Sequence, residues 1–268
     1  MNAPTTTATT RNSAPAAVPR EYRLTFWRVV RSELLKLVTV RTVLVTLLVN
    51  IPLGVLFLLT AKGNATPGGD VSENLVHFTY LQGGFAAFAC LTLSIVAVLS
   101  IANEHSTGQI GSTMRTVPRR WMLVVAKTVA LGSLVWLVGF ITSTICAVVL
   151  AGSMGPLPDG ALATILLTSA CSGLAWAALA VISLAIGGIL RSGAFGIATA
   201  FTLFLVLPTV IRSIPELDGL MSVLPTVASS ALAAPVDVGA ALGGAIALGA
   251  WVVVTVGLWG ALLSRRDV

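Results

Sequence analysis

Charged residues are scarce in this chain: Asp, Glu, Lys and Arg make up 10% of its 268 residues, whereas ordinary soluble domains contain about a quarter. Hydrophobic residues make up 56% of the chain, and its mean hydropathy is +0.96. This composition excludes an ordinary soluble domain and predicts an integral membrane protein. In a membrane protein, the positions of the charges along the chain indicate its orientation in the membrane. The net charge of +6 is therefore interpreted in that way, and no nucleic-acid partner is predicted.

Histidine and cysteine are also rare. His77 and His105 lie outside the centres of the apolar runs, whereas Cys90, Cys146 and Cys171 lie within them and form no CxxC pair. An intramembrane serine protease would need a histidine in a later span, and a metalloprotease would need the HExxH spacing. The sequence therefore predicts no catalytic site, no metal site and reduced, structural cysteines.

The chain also lacks a phosphate-binding loop and intramembrane charge. The nearest candidate loop, Ala126-Lys127-Thr128, is not preceded by the glycines that bind phosphate through their N–H groups. The apolar runs contain almost no ionisable side chain, although proton and ion carriers depend on such groups. We therefore expect no cofactor in this chain and disfavour an ion-coupled carrier.

Six apolar runs have about the length that crosses a bilayer, roughly 20 residues or more. They predict an all-α polytopic membrane protein with spans at residues 42–61, 79–101, 123–151, 161–190, 194–211 and 241–263. The Thr/Ala/Pro-rich residues 1–20 predict a disordered tail, without a secretory signal peptide. The predicted domains are this tail, an interfacial helix at 21–41 and the six-span domain at 42–268.

Residues 24–38 are amphipathic at helical spacing. The apolar side carries Phe26, Trp27, Val30, Leu34, Leu37 and Val38, and the polar side carries Arg28, Arg31, Ser32 and Lys36. A basic helix with tryptophan at its apolar edge is typical of one lying in the membrane interface. The interfacial residues are thus predicted to be Trp27, Arg28, Arg31 and Lys36; the alternative is a cytoplasmic extension of the first span.

The distribution of cations predicts the orientation. With the N-terminus inside, fourteen of the sixteen Lys and Arg residues lie on the cytoplasmic side, and Lys62 and Arg212 lie outside. Positive charge accumulates on the cytoplasmic side of membrane proteins. We therefore expect both termini in the cytoplasm. The polar loop at 102–121 would also be cytoplasmic, and residues 212–240 would be external.

The loop at 102–121 carries the pattern of a short helix. Ser106 and Gln109 have the spacing of a capping box, and Pro118 prevents continuation. An apolar stripe is formed by Ile110, Met114 and Val117. Such a brief helix is unstable alone, so it is predicted to dock by this stripe. Glu104 and His105 are predicted to form hydrogen bonds rather than bind metal.

Residues 212–240 are too polar and too rich in proline to span the membrane, yet they contain five apolar side chains between Leu217 and Leu224. Broken helices occur at membrane depth only where protein shields their backbone. This segment is therefore predicted to form one or two short helices that dip back into the outer leaflet.

The loop also carries a recognisable pattern, E-x3-G-x-I-x7-PRR-x6-K. Its residues are Glu104, Gly108, Ile110, Pro118, Arg119, Arg120 and Lys127. The pattern resembles the first cytoplasmic loop of bacterial ABC exporter permeases of the drug, lipid and polysaccharide class. SELLKL at 32–37, followed by Arg41, resembles their interfacial helix, and Leu224-Pro225 resembles the position of their re-entrant helices.

The resemblance implies a multi-pass subunit of the bacterial plasma membrane, paired with an identical copy or a paralogue. Two copies of a separate cytoplasmic ABC ATPase would bind ATP and Mg, and the second and fifth spans would line the substrate path. The loop would be the coupling helix, with an ATPase-coupling set of Glu104, Ser106, Gly108, Gln109, Ile110, Met114, Arg115, Val117, Pro118, Arg119 and Arg120. The uncharged spans favour a hydrophobic or amphiphilic substrate such as a drug, antibiotic, lipid or peptide.

Other classes remain open. One is a non-transport membrane subunit, an immunity or sensor protein or an anchor, that uses the same loop to dock a soluble partner. Another is a passive channel or secondary carrier, although no inverted repeat is evident. Association with an ATPase would separate the exporter from both alternatives.

Overall fold

The computed structural model describes residues 25–62, 71–108, 120–154, 160–233 and 237–265. These residues form helices and short connections, without a strand. The helices are α1 Phe26–Thr39, α2 Arg41–Lys62, α3 Val71–Ser106, α4 Arg120–Met154, α5 Ala161–Leu190, α6 Gly193–Phe201, α7 Leu207–Arg212, α8 Pro225–Ala233 and α9 Val238–Arg265. A π-helical stretch, Thr202–Val206, joins α6 to α7, and a 3-10 helix, Pro215–Val223, precedes α8.

Four stretches of the described residues are long and apolar enough to cross a membrane. They are Trp121–Val149, Leu162–Leu190, Gly193–Arg212 and Val238–Arg265. The bent pair Phe26–Thr39 and Val43–Leu59 would add a fifth. The all-helical, membrane-embedded class is thus confirmed, whereas six spans remains a prediction. The tail at 1–20 lies outside the described residues.

Helix α5 forms the centre of the bundle. Its side chains Trp176, Leu179 and Ile182 are almost fully buried, and α3, α4, α8 and α9 surround it. Ser183 donates a hydrogen bond of 2.9 Å to the Ser94 hydroxyl of α3. Small residues permit this close contact because they let helix backbones approach one another.

Gly173 marks the closest approach of α5 to α4. A Cβ at this position would lie 2.7 Å from the Trp136 carbonyl oxygen and 3.0 Å from the Phe140 nitrogen. Gly173→Ala should therefore destabilise the protein by about 1–3 kcal/mol. The added methyl group would clash with backbone atoms of α4, which cannot change rotamer as a side chain can. Thermal unfolding in detergent measures this effect. The control is Gly257→Ala, where the added Cβ meets no atom within 4 Å; equal melting of the two variants would contradict the assigned contact.

Helices α1 and α2 form an elbow. Val40 has extended backbone angles, φ −80° and ψ 105°, and the axes of the two helices differ by 69°. Helix α1 is therefore not a straight extension of α2. Its position in a membrane interface stays a prediction.

The face by which α1 contacts the protein overlaps with the predicted apolar face but is rotated away from Trp27. Val29 and Val30 pack against Leu123 and Ala126 of α4, whereas Trp27 is exposed. Of the other residues on the predicted apolar face, Phe26, Leu34 and Leu37 pack against this cluster, whereas Val38 is exposed. The packed side is centred nearer Glu33, which changes the interpretation of the helix.

The segment before α9 contains two short helices, as the sequence predicts. The 3-10 helix Pro215–Val223 has no buried residue, whereas most of α8 is buried. Trp251 of α9 donates an indole hydrogen bond of 2.8 Å to the Val223 carbonyl. Helix α8 packs on α9, α5 and α3, which provides the shielding that broken backbone needs; whether the segment re-enters a membrane stays a prediction.

Candidate functional site

Four ionisable side chains from three helices meet where α1, α3 and α4 come together. The Lys127 ammonium lies 2.5 Å from Glu33 Oε2 and 2.5 Å from Glu104 Oε1. The Lys36 ammonium lies 2.7 Å from Glu33 Oε1 and 3.7 Å from Glu104 Oε1. These residues, Glu33, Lys36, Glu104 and Lys127, form what we call the charge cluster. Its two acids and two bases balance.

Three members of the charge cluster are buried. Glu33, Glu104 and Lys127 are 2%, 8% and 7% exposed. Buried charges are tolerated only when paired, because each loses the hydration that it has in water. The cluster therefore requires α1, α3 and α4 to remain in contact.

The pairing shifts the pKa values of both α1 residues of the charge cluster. Burial alone would raise the pKa of Glu33, but the ammonium groups of Lys127 and Lys36 outweigh burial and hold it below 4.5. Burial would lower the pKa of Lys36, but Glu33 and Glu104 outweigh it and raise the value above 10.5. Both groups are therefore charged at neutral pH.

A pH dependence follows from the depressed pKa of Glu33. Its stabilising effect is present above its ordinary pKa of 4.5 and is lost as the pH falls through the lower value of the folded state. The difference in melting temperature between the wild type and Glu33→Gln should therefore shrink from pH about 7 to pH about 3. Melting curves in one detergent measure it. A constant difference across that range would contradict the assigned pairing.

The predicted coupling residues are only partly within the described chain. Glu104 and Ser106 lie in the last turn of α3, Gly108 follows it, and Arg120 begins α4 without a described side chain. Seven others lie outside the described residues: Gln109, Ile110, Met114, Arg115, Val117, Pro118 and Arg119. A coupling helix therefore stays a prediction.

Ser106 is not placed as an N-cap. It lies within α3, and its hydroxyl donates a 3.0 Å hydrogen bond to the Asn103 carbonyl, a common way for serine to bond within a helix. Gly108 follows with a φ of +69°, the left-handed conformation that often ends a helix. Ser106 thus belongs to the helix before the loop, and its predicted capping role is corrected.

His105 has a hydrogen-bonding role, as predicted. Its Nδ1 lies 2.9 Å from the Ile101 carbonyl. Burial lowers the pKa of His105, with a further lowering from the nearby Arg191 charge. The described residues contain no group of three side chains suited to a metal ion.

The sequence interpretation missed Glu33 as a site residue and named Lys127 only as the last position of the loop pattern. A signal was present, because Glu33 lies on the same helical side as Val29, Val30 and Leu37. A charged residue among apolar ones is seldom buried without a partner. The spacing can indicate that such a partner exists but cannot identify it.

A cleft of about 550 Å³ opens beside the charge cluster, at the elbow between α1 and α2. We call it the elbow cleft. It is lined by Glu33, Lys36, Leu37, Thr39, Val40, Val43, Thr46, Ile95, Val96, Leu99, Ser100, Asn103, Glu104, Thr107, Lys127, Leu131 and Leu184. Small-molecule sites have volumes of about 300–1,000 Å³, so this cleft is large enough to hold a ligand.

Comparisons with known proteins add no identity: no family model matches the chain, and no curated protein is significantly similar to it. Across the residues that the structure describes, the fold is helical and has four or five candidate membrane-spanning helices. Its function is therefore argued from the charge cluster and the elbow cleft.

Proposed function

We propose that this chain is the membrane-spanning permease subunit of an ATP-binding cassette exporter. Two such chains, identical or paralogous, form the path for a hydrophobic or amphiphilic substrate. Six spans cross the bacterial plasma membrane with both termini in the cytoplasm. A separate ATPase, present in two copies, binds and hydrolyses ATP.

The charge cluster is the observation that carries this proposal. Glu104 lies shortly before residues 109–119 and Lys127 shortly after them. Lys127 pairs with Glu104 and also with Glu33, which connects α4 and α3 to α1. A displacement of residues 109–119 would therefore move α1 together with α3 and α4. A rigid link of this kind lets an ATPase that docks on the loop move these helices as one body.

The distribution of buried charge supports the same class. In the described part of the chain, the buried acidic and basic side chains are Glu33, Glu104 and Lys127, all of the charge cluster, and Lys127 lies near the start of the candidate span Trp121–Val149 rather than at its centre. Ion-coupled carriers use ionisable groups within their spans. An energy source outside the membrane domain accounts for this arrangement better.

Co-purification tests the proposal. The tagged chain, crosslinked in its native membrane and purified, should carry an ABC ATPase that mass spectrometry identifies. The reconstituted complex should hydrolyse ATP faster when an amphiphile is added. Liposomes that contain the chain alone and still move the amphiphile would overturn the proposal.

Labelling of introduced cysteines tests the orientation on which the proposal depends. Ser112→Cys should react only with a reagent applied from the cytoplasmic side, and Asp218→Cys, in the 3-10 helix, only with one applied from outside. Both variants are made in a background without the native cysteines. Labelling of position 112 from outside would exclude an ATPase docked on this loop.

A further inference from the structure

The elbow cleft has a polar end and an apolar end. Asn103 of α3 and Thr107, just after the end of α3, line one end of the cleft, and Leu99 and Ile95 of α3 line the other. Ile95 and Thr107 are twelve positions apart, about 18 Å at the usual helical rise, and only the last of these positions lies beyond the end of α3. The cleft is thus longer than a headgroup and changes character along its length.

The same gradient occurs on the neighbouring helix α4. Lys127 of α4 lies at the polar end, and Leu131, one turn further along, lies at the apolar end. Across the elbow, Lys36 of α1 precedes Val43 of α2. On α2 the polar Thr46 follows Val43 in the lining, so the change is clear on α3 and α4 only. Because these two sides change polarity in one direction, the cleft suits an amphiphile better than a wholly polar or wholly apolar ligand.

The accessible charge at the polar end is positive. The Lys36 side chain is 41% exposed, whereas those of Glu33 and Glu104 are 3% and 10% exposed. An ammonium has three N–H donors, and the Lys36 ammonium has one short contact, to Glu33. The buried carboxylates are already paired with Lys127. A ligand entering the cleft therefore meets a cation first.

We propose that the elbow cleft binds an amphiphile with one anionic headgroup, such as a carboxylate or a phosphate monoester. The headgroup contacts Lys36, with the exposed Asn103 and Thr107 beside it, and the alkyl chain lies against Ile95 and Leu99. The role of this cleft as a loading site for exported substrate rests on the proposed function. The binding of the amphiphile does not depend on that function.

Photo-crosslinking tests the binding without the ATPase. The full chain is placed in nanodiscs of zwitterionic lipid and exposed to a fatty acid with a photoreactive diazirine in its alkyl chain. Mass spectrometry should locate the label near residues 39–46 and 95–99. Label distributed evenly over the exposed faces of the bundle would overturn the site.

Charge variants test the headgroup contact. Lys36→Gln should weaken binding of the fatty acid about tenfold, because a charge-assisted hydrogen bond is lost, whereas Lys36→Arg should retain most of it. Arg265→Gln, at the end of α9, removes one positive charge away from the cleft and should have no effect. If Lys36→Gln and Arg265→Gln weakened fatty-acid binding equally, the effect would come from the net charge of the protein, and the proposed contact with Lys36 would be overturned.

A matched pair of substitutions tests the alkyl contact. Ile95 lines the cleft and is 41% exposed, and Ile141 on α4 is 40% exposed outside it. Ile95→Trp fills the cleft and should abolish specific labelling, whereas Ile141→Trp should not change it. Undiminished labelling in Ile95→Trp would overturn the proposal even if a lysine variant had failed to fold.

Competitors distinguish an amphiphile site from a simple anion site. Unlabelled long-chain fatty acid should displace the probe, and inorganic phosphate or an alkylammonium of equal chain length should not. Displacement by inorganic phosphate alone would show an anion site without an alkyl contact. Stimulation of ATP hydrolysis is measured separately. Binding without stimulation would support the cleft as a binding site but exclude it as the loading site of an exporter. Stimulation without binding would support the exporter and exclude the cleft as the binding site.

Discussion

Lys127→Met is expected to lower the free energy of unfolding by about 3–5 kcal/mol, the usual cost of removing one partner from a buried ion pair. The Lys127 ammonium contacts both Glu33 and Glu104, and both carboxylates are buried. Without the lysine, Glu104 would keep only the 3.7 Å contact with Lys36. Helix α1 should then separate from α3 and α4.

Two controls make this prediction specific. Thermal unfolding in detergent should show a much smaller effect for Lys36→Met, because that side chain is partly exposed and exposed pairs contribute little. The triple variant Glu33→Gln, Glu104→Gln and Lys127→Met should recover most of the loss, since no buried charge remains. A Lys127→Met protein that melts like the wild type would show that the cluster does not hold these helices together.

The helices themselves could largely be predicted from apolar runs. The run at 161–190 coincides with α5, Ala161–Leu190, because both ends are set locally. Gly160 has a φ of +84° and Arg191 a φ of +54°, so neither continues the helix. The run at 123–151 lies within the longer α4, Arg120–Met154, since a helix can extend beyond the apolar stretch that crosses a bilayer.

The contacts between helices could not be predicted in the same way. Lys127 and Glu33 are 94 positions apart, and no local spacing relates them. Hydrophobic periodicity favoured the side of α1 that carries Trp27, yet the packed side includes the charged Glu33. Hydrophobic periodicity describes only how polar and apolar side chains alternate along one helix. The packing of α1 also depends on which of its charged side chains pair with charges on other helices.

The elbow cleft depends on this long-range pairing. Lys36 can contact Glu104 only because Lys127 and Glu33 bring α1 against α3 and α4. The sequence identified Lys36 as a cation on an amphipathic helix, with lipid as its expected neighbour. Its position at the end of a cleft follows from the three-dimensional arrangement alone.

The largest functional effect is expected from the double substitution Ile110→Asp and Met114→Asp. Both residues belong to the apolar stripe in the loop between α3 and α4, so the prediction rests on their sequence spacing. Apolar anchors at the centre of an interface often contribute about 2 kcal/mol or more each. The double variant should insert into the membrane normally, and its amphiphile-stimulated ATP hydrolysis should fall by more than about tenfold.

The double substitution Ser112→Asp and Thr116→Asp is the matched control, because it adds the same two negative charges to the same loop away from the stripe at helical spacing. Stimulated ATP hydrolysis and ATPase co-purification should both persist in this control and disappear in the Ile110→Asp and Met114→Asp variant. Loss of hydrolysis with co-purification intact would mean that the stripe transmits movement without providing the main binding energy. Wild-type values of both in the Ile110→Asp and Met114→Asp variant would exclude the stripe as the contact through which the ATPase acts on the bundle.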